Sequence, residues 1–175
     1  MITAAVRAET GRLLTLPAVW LTAAVTLVAA GLLRELDHTQ AGLLVLGTLA
    51  GTTEVRTTLL AVPRRGTAAT ARAVAVTLAA TPVSAGAALL ADRAGAAAYL
   101  VMTALLATGV SSLIRHPAAS AGLLTGWYMI AGPVLRALVP ASAGWLPDAL
   151  RTGPALVWTI AVLAVAAVVL SRRDA

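Results

Sequence analysis

The chain has 175 residues, of which 59% are hydrophobic and 11% charged, with a mean hydropathy of +0.90. Soluble domains carry about 25% charged residues, so this composition excludes an ordinary water-soluble globule and points to a polytopic membrane protein. The formal net charge is +6, yet no basic stripe with interleaved aromatics accompanies it, which argues against a nucleic-acid partner.

Met1 to Thr15 is polar enough to stay outside a bilayer. Val6, Leu13 and Leu14 alternate with Arg7, Glu9 and Arg12, which predicts an interfacial amphipathic helix over residues 1–15, running along the cytosolic surface. A basic start ahead of an apolar run imitates a signal peptide, but no small-x-small cleavage site stands out, and the apolar segments that follow predict a multi-pass chain. Pro17 turns the chain into a first span, Pro17 to Leu33. Arg34 to His38 forms a short polar loop. The second span, Gln40 to Thr52, is short against the roughly 20 residues a crossing needs and continues into the stretch that follows.

That stretch is the most informative polar break. Val55, Leu59 and Val62 fall at i, i+4 and i+7, one stripe of a short helix over 53–63. Thr52 or Thr53 caps its start, and Glu54 suits the positive end of its dipole. Pro63 stops it, and Arg64 and Arg65 place positive charge just beyond. From the residues alone the plainer reading is a solvated loop with positive-inside arginines.

Thr67 to Ala91 is the third span, with Pro82 as an expected kink and Arg72 snorkelling at its cytosolic end. Asp92 to Gly95 makes a tight outer turn. Ala96 to Ile114 is the fourth span, closed inside by Arg115-His116-Pro117, and Ala118 to Leu135 is the fifth. Residues 136–153 are too polar and proline-rich for a span. They predict short re-entrant or interfacial helices on the extracellular side, anchored by Trp145. Pro154 starts the sixth span, which ends near Leu170. The fold class is therefore all-α integral membrane: one domain, residues 1–175, with six transmembrane helices.

Charge orients it. With the amino terminus inside, Arg7, Arg12, Arg56, Arg64, Arg65, Arg72, Arg115, Arg172 and Arg173 are cytosolic, and Arg34, Arg93, Arg136 and Arg151 are outside. That is the sense of the positive-inside rule, so both termini are expected in the cytosol of a bacterial cell membrane.

No active-site chemistry is visible. All thirteen basic residues are arginine, so the lysine of a phosphate loop is missing and the chain supplies no ordinary nucleotide site. There is no cysteine for a disulfide or thiolate site. His38 and His116 lie far apart, without metal-ligand partners at helical spacing. Ser111 and Ser112 read as hydrogen-bonding across helices. The pairs Gly47/Gly51 and Gly122/Gly126 let helices approach closely, within the chain or at a subunit interface. Trp127 and Tyr128 sit near mid-depth of the fifth span, facing a substrate path or packed in the core.

The stretch Gly47-Thr48-Leu49-Ala50-Gly51-Thr52-Thr53-Glu54-Val55-Arg56, continuing to Pro63-Arg64-Arg65, resembles permeases of the ABC type-2 transporter family. In them the second span ends at a glutamate, and a short coupling helix follows with a pattern like Glu-x-Arg, then Thr-x-Leu-x-x-Pro-x-Arg. The closing Ser171-Arg172-Arg173-Asp174-Ala175 is similar to the end of the last helix in actinobacterial members. The resemblance implies a permease subunit exporting a hydrophobic or amphipathic small molecule, antibiotic, peptide or lipid. Energy would come from a separate cytosolic ATPase that holds the ATP and Mg, this chain binding no cofactor. A second permease copy or related permease would complete the dimer in the bilayer. Glu54, Val55, Arg56, Leu59, Leu60 and Pro63 would make the ATPase contact. The rivals are a six-span substrate-binding subunit of an importer, which would need polar ligands converging on an outward pocket, and a non-transport membrane enzyme or accessory protein.

Because the chain has no cysteine, topology is testable by single-cysteine variants. Labelling is expected from outside at Thr39 and Ala94, and from the cytosol at Thr67 and Ala175. External labelling at Ala175 would sink the six-span arrangement.

Overall fold

The structure is a computed structural model that describes residues 2–52, 65–147 and 152–172. Among the described residues every regular element is helical. Helix α1 spans Ile2–Thr15, α2 Pro17–Leu33, α3 Leu36–Thr52, α4 Arg65–Leu90 and α5 Ala97–Ile114. Helix α6 spans Pro117–Gly126 and passes through a π turn, Trp127–Ala131, into α7, Gly132–Leu138; α8 spans Thr152–Arg172. Short 3₁₀ turns occupy Ala94–Ala96 and Pro140–Gly144.

The breaks between helices have local causes. Pro17 occupies the first turn of α2, where its missing N–H costs nothing, and α1 meets α2 at 69°. Arg34 ends α2 in the left-handed conformation, φ 53°, with its N–H on the Ala30 carbonyl. Arg115 ends α5 the same way, φ 59°, with its N–H on Ser111. The next residue, His116, caps α6: its Nδ1 accepts the Ala119 N–H at 3.2 Å, and Pro117 follows at the first helical position.

Helices α3 and α5 form the centre. They approach so closely that a Cβ on Gly47 would collide with the Ala104 carbonyl oxygen, and one on Gly51 with Ser111 Oγ. The Thr108 hydroxyl donates across the contact to the Gly47 carbonyl at 3.1 Å. Helix α2 lies on α3 where Gly42 meets the buried Thr26. Helix α8 lies on α5, with the Thr159 hydroxyl donating to Met102 O at 3.3 Å and Val162 against Gly109. Helix α4 covers another side of the central pair and carries α1. The core is built largely from alanine with Leu43, Leu46, Val76, Tyr99 and Leu100.

The outer surface is apolar. Leu21, Leu32, Leu89 and Ile130 are each 66% or more exposed. Apolar surface of that kind suits lipid rather than water. Among the described residues four helices are long and apolar enough to cross a membrane: Thr67–Leu90, Ala94–Ile114, Pro117–Leu138 and Thr152–Val169, or five if the bent α1–α2 pair counts as one span. The described residues are thus all-helical, with four to five apolar helices compatible with a membrane protein.

Several expectations shift. The Pro17–Leu33 helix keeps its expected limits. The second segment begins four residues before Gln40, because Leu36 and Asp37 already belong to α3. Arg72 does not snorkel: it is buried at 8% exposure, since an acid from α1 meets it. Ser111 and Ser112 do not bond across helices. Their hydroxyls donate to Thr108 O at 3.1 Å and Gly109 O at 2.7 Å in their own helix, the back-bonding open to any helical serine. Thr39 is fully buried, so the labelling position for its end of the bundle belongs on the exposed neighbour His38.

The two glycine pairs separate. Gly47 and Gly51 are spent on the α3–α5 contact, whereas a Cβ on Gly122 or Gly126 would meet nothing within 4 Å. Gly47→Leu is therefore expected to destabilise the chain by about 1–3 kcal/mol or more through overpacking, read as a lower melting temperature in detergent. Gly122→Leu should leave that temperature within a degree or two. Equal losses in both variants would remove the central role given to the Gly47 contact.

Candidate functional site

Two regions hold the polar chemistry of the described residues. The first lies where α3 ends at Thr52. Glu9 of α1 is 5% exposed, and its carboxylate meets Arg72 Nε of α4 at 3.2 Å and Arg12 of its own helix at 3.6 Å. Arg72 also donates from Nη1 to the Gly51 carbonyl at 3.4 Å. Three helices are thus tied at the point where the chain leaves α3 for residues 53–64. The proposed coupling residues, Glu54, Val55, Arg56, Leu59, Leu60 and Pro63, lie outside the described residues.

Removing one partner of a buried pair strands the other charge, which costs about 3–5 kcal/mol, whereas replacing both with apolar groups is often close to neutral. Glu9→Leu and Arg72→Leu should each lower the melting temperature markedly. The double variant should recover much of the loss, and additive losses in the double variant would show that the two side chains do not act as a pair.

The second region surrounds the π turn. Pro133 lacks an N–H and its ring crowds the carbonyl four residues back, so the α ladder cannot continue unchanged. The chain widens by one residue instead, and the Gly132 N–H reaches back five residues to the Trp127 carbonyl. Trp127 and Tyr128 stand at the start of this widened turn. Both line an apolar cavity of about 330 Å³, with Leu106 and Val110 from α5 and Trp158 and Val162 from α8. The 140s segment closes one end: Trp158 Nε1 donates to Trp145 O at 2.8 Å, and Arg136 Nη2 donates to Pro147 O at 2.8 Å. Trp145 itself is 78% exposed.

On the other side of Tyr128 is a smaller, polar cavity of about 130 Å³, lined by Asp37 and Gln40 of α3, Tyr99 of α5, and Tyr128, Pro133 and Arg136. Tyr128 lines both spaces, so its ring stands at each of them. Gln40 is 5% exposed, and its Nε2 has no hydrogen-bond partner; Arg136 Nε is likewise buried and unpartnered. Such a stranded donor costs about 1–3 kcal/mol, and Gln40 and Arg136, which both line this cavity, carry one each.

Of the residues singled out from the sequence, Trp127 and Tyr128 therefore come together at a cavity wall. Asp37, Gln40, Arg136 and Trp158 were missed. The signal that could have found Gln40 and Arg136 is general: a lone polar or charged residue at the edge of an apolar span is a functional candidate until it is given another role. His38 lies 3.1 Å from Glu35 in an exposed pair, and His116 is a helix cap. No group of three metal-binding side chains occurs among the described residues.

No protein-family model matches the chain, and neither does any curated protein or solved structure.

Proposed function

We propose that this chain is the membrane-spanning permease subunit of an ABC-type exporter, moving an amphipathic small molecule, lipid or peptide at the expense of ATP hydrolysed by a separate cytosolic subunit. In this reading the chain crosses the plasma membrane six times, with both termini inside, and works beside a second permease.

The observation that carries the reading is the position of Tyr128 between an apolar and a polar cavity. An amphipathic molecule needs both surfaces at once, and the π turn presents both from one side chain. The resemblance of residues 47–65 to ABC type-2 permeases supplies the expected energy source. The buried Glu9–Arg72 pair supports a mechanical role for the region next to that stretch, because it makes α1, α3 and α4 respond together to a push there.

One observation favours the importer subunit as a second reading. Asp37, Gln40 and Arg136 converge on one small cavity, the polar grouping such a protein requires.

Leu59→Asp separates the two. If 53–63 is a coupling helix, Leu59 anchors in a groove of the ATPase, and an aspartate there would be buried unpaired at a cost of about 3–5 kcal/mol. The expected result is a stable, membrane-inserted chain that no longer copurifies with its ATPase or loses substrate-stimulated hydrolysis. Unchanged assembly and transport would return the stretch to a solvated loop and withdraw the exporter reading.

A further inference from the structure

We propose that the polar cavity at Asp37, Gln40 and Arg136 binds the zwitterionic head of an amphiphile, with an acidic group at Arg136 and Gln40, an ammonium at Asp37, and the tail in the apolar cavity beyond Tyr128. This names the ligand class of the site and rests on the reading of the two cavities as one amphiphile site.

Arg136 defines the acidic group, and it lines the space together with Gln40. Arg136 brings a permanent charge and a planar fork suited to carboxylate, phosphate or sulfonate oxygens. One of its nitrogens is already fixed on Pro147 O, so the side chain is held in place before any ligand arrives.

Asp37 defines the other charge. It lines the same cavity, and no ion pair joins it to Arg136. A simple anion in so small a space is opposed by the aspartate, and a simple cation by the arginine. A ligand carrying both charges satisfies both residues. The rings of Tyr99 and Tyr128 add faces that favour an ammonium, above all a methylated one.

Size and neighbourhood supply the rest. About 130 Å³ suits a head group and not a whole drug-sized ligand. The adjoining 330 Å³, lined by Leu106, Val110, Trp127 and Trp158, suits an alkyl chain. Two sources share this chemistry: a zwitterionic phospholipid of the bilayer and a free amphiphile of similar head.

The full chain in a nonionic maltoside micelle can be titrated by native mass spectrometry with N-dodecyl-N,N-dimethylglycine, dodecyltrimethylammonium and dodecanoate, which share a tail and differ in head charge. The zwitterion is expected to bind at least about tenfold more tightly than either singly charged probe. Gln40→Leu and Arg136→Gln should each weaken zwitterion binding about tenfold. Asp37→Asn, a near-isosteric change at an exposed position, should weaken the zwitterion and strengthen dodecanoate. Equal binding of the three probes overturns the proposal, and so does an Asp37→Asn variant of unchanged melting temperature with unchanged preference. A second arm uses bilayer discs of phosphatidylethanolamine or phosphatidylglycerol. Retained phosphatidylethanolamine that N-dodecyl-N,N-dimethylglycine displaces upholds the proposal with a bilayer source. Zwitterion binding without retained lipid upholds it with a free one. Leu59→Asp should bind the zwitterion as the parent chain does, so failure of the transport reading and failure of this one give different results.

Discussion

The backbone contact between α3 and α5 is the constraint on which the bundle depends. In lipid, helices gain nothing from hiding apolar surface from their surroundings, so association rests on close packing and on hydrogen bonds between helices. Gly47 and Gly51 supply the first and Thr108 the second. Once that distance is fixed, the remaining helices find their places against one pair. Helix α2 packs at Gly42, α4 covers a further side, and α8 docks on α5 through Gly109 and Thr159. The small residues of the core are the consequence: alanine fills spaces that larger side chains would force open.

The same economy explains where the cavities lie. Helix α6 touches both central helices, but its glycines Gly122 and Gly126 face no close neighbour, and the turn after it is widened. Space opens on either side of Tyr128 because this segment does not close fully over α5 and α8. The charged pair at Glu9 and Arg72 does the opposite work at the end of α3. It draws a polar amphipathic helix against α4, where an apolar contact alone would leave α1 free to lie flat on a membrane surface. Arg12 on the same carboxylate shares the charge and limits its desolvation cost.

Much of the architecture was legible from hydropathy and punctuation. Pro17 and the Arg34 break bound α2, the Asp92 turn bounds α4, and Arg115-His116-Pro117 bounds α5, because each break is made by residues adjacent in sequence. Long-range facts were not legible. Glu9 and Arg72 are 63 positions apart, so nothing near Arg72 announces its partner. Helix α3 begins earlier than the span read from Gln40 because Asp37 and His38 are polar, and a hydropathy reading trims off the turn that holds them. Tyr128 was visible as an aromatic out of place at mid-span. Its two cavities were not, since their walls come from α3, α5 and α8 as well as its own helix.

The π turn has a consequence for how this protein tolerates change in length. It takes up one extra residue in a single wide turn, so α7 continues with little change of phase from α6. A residue added within a regular α-helix has no such outlet: it turns all that follows by roughly 100° and moves it on by about 1.5 Å. One added between Gly132 and Arg136 would carry Arg136 away from Pro147, Gln40 and Asp37. Chain length is therefore held more tightly after the wide turn than within it.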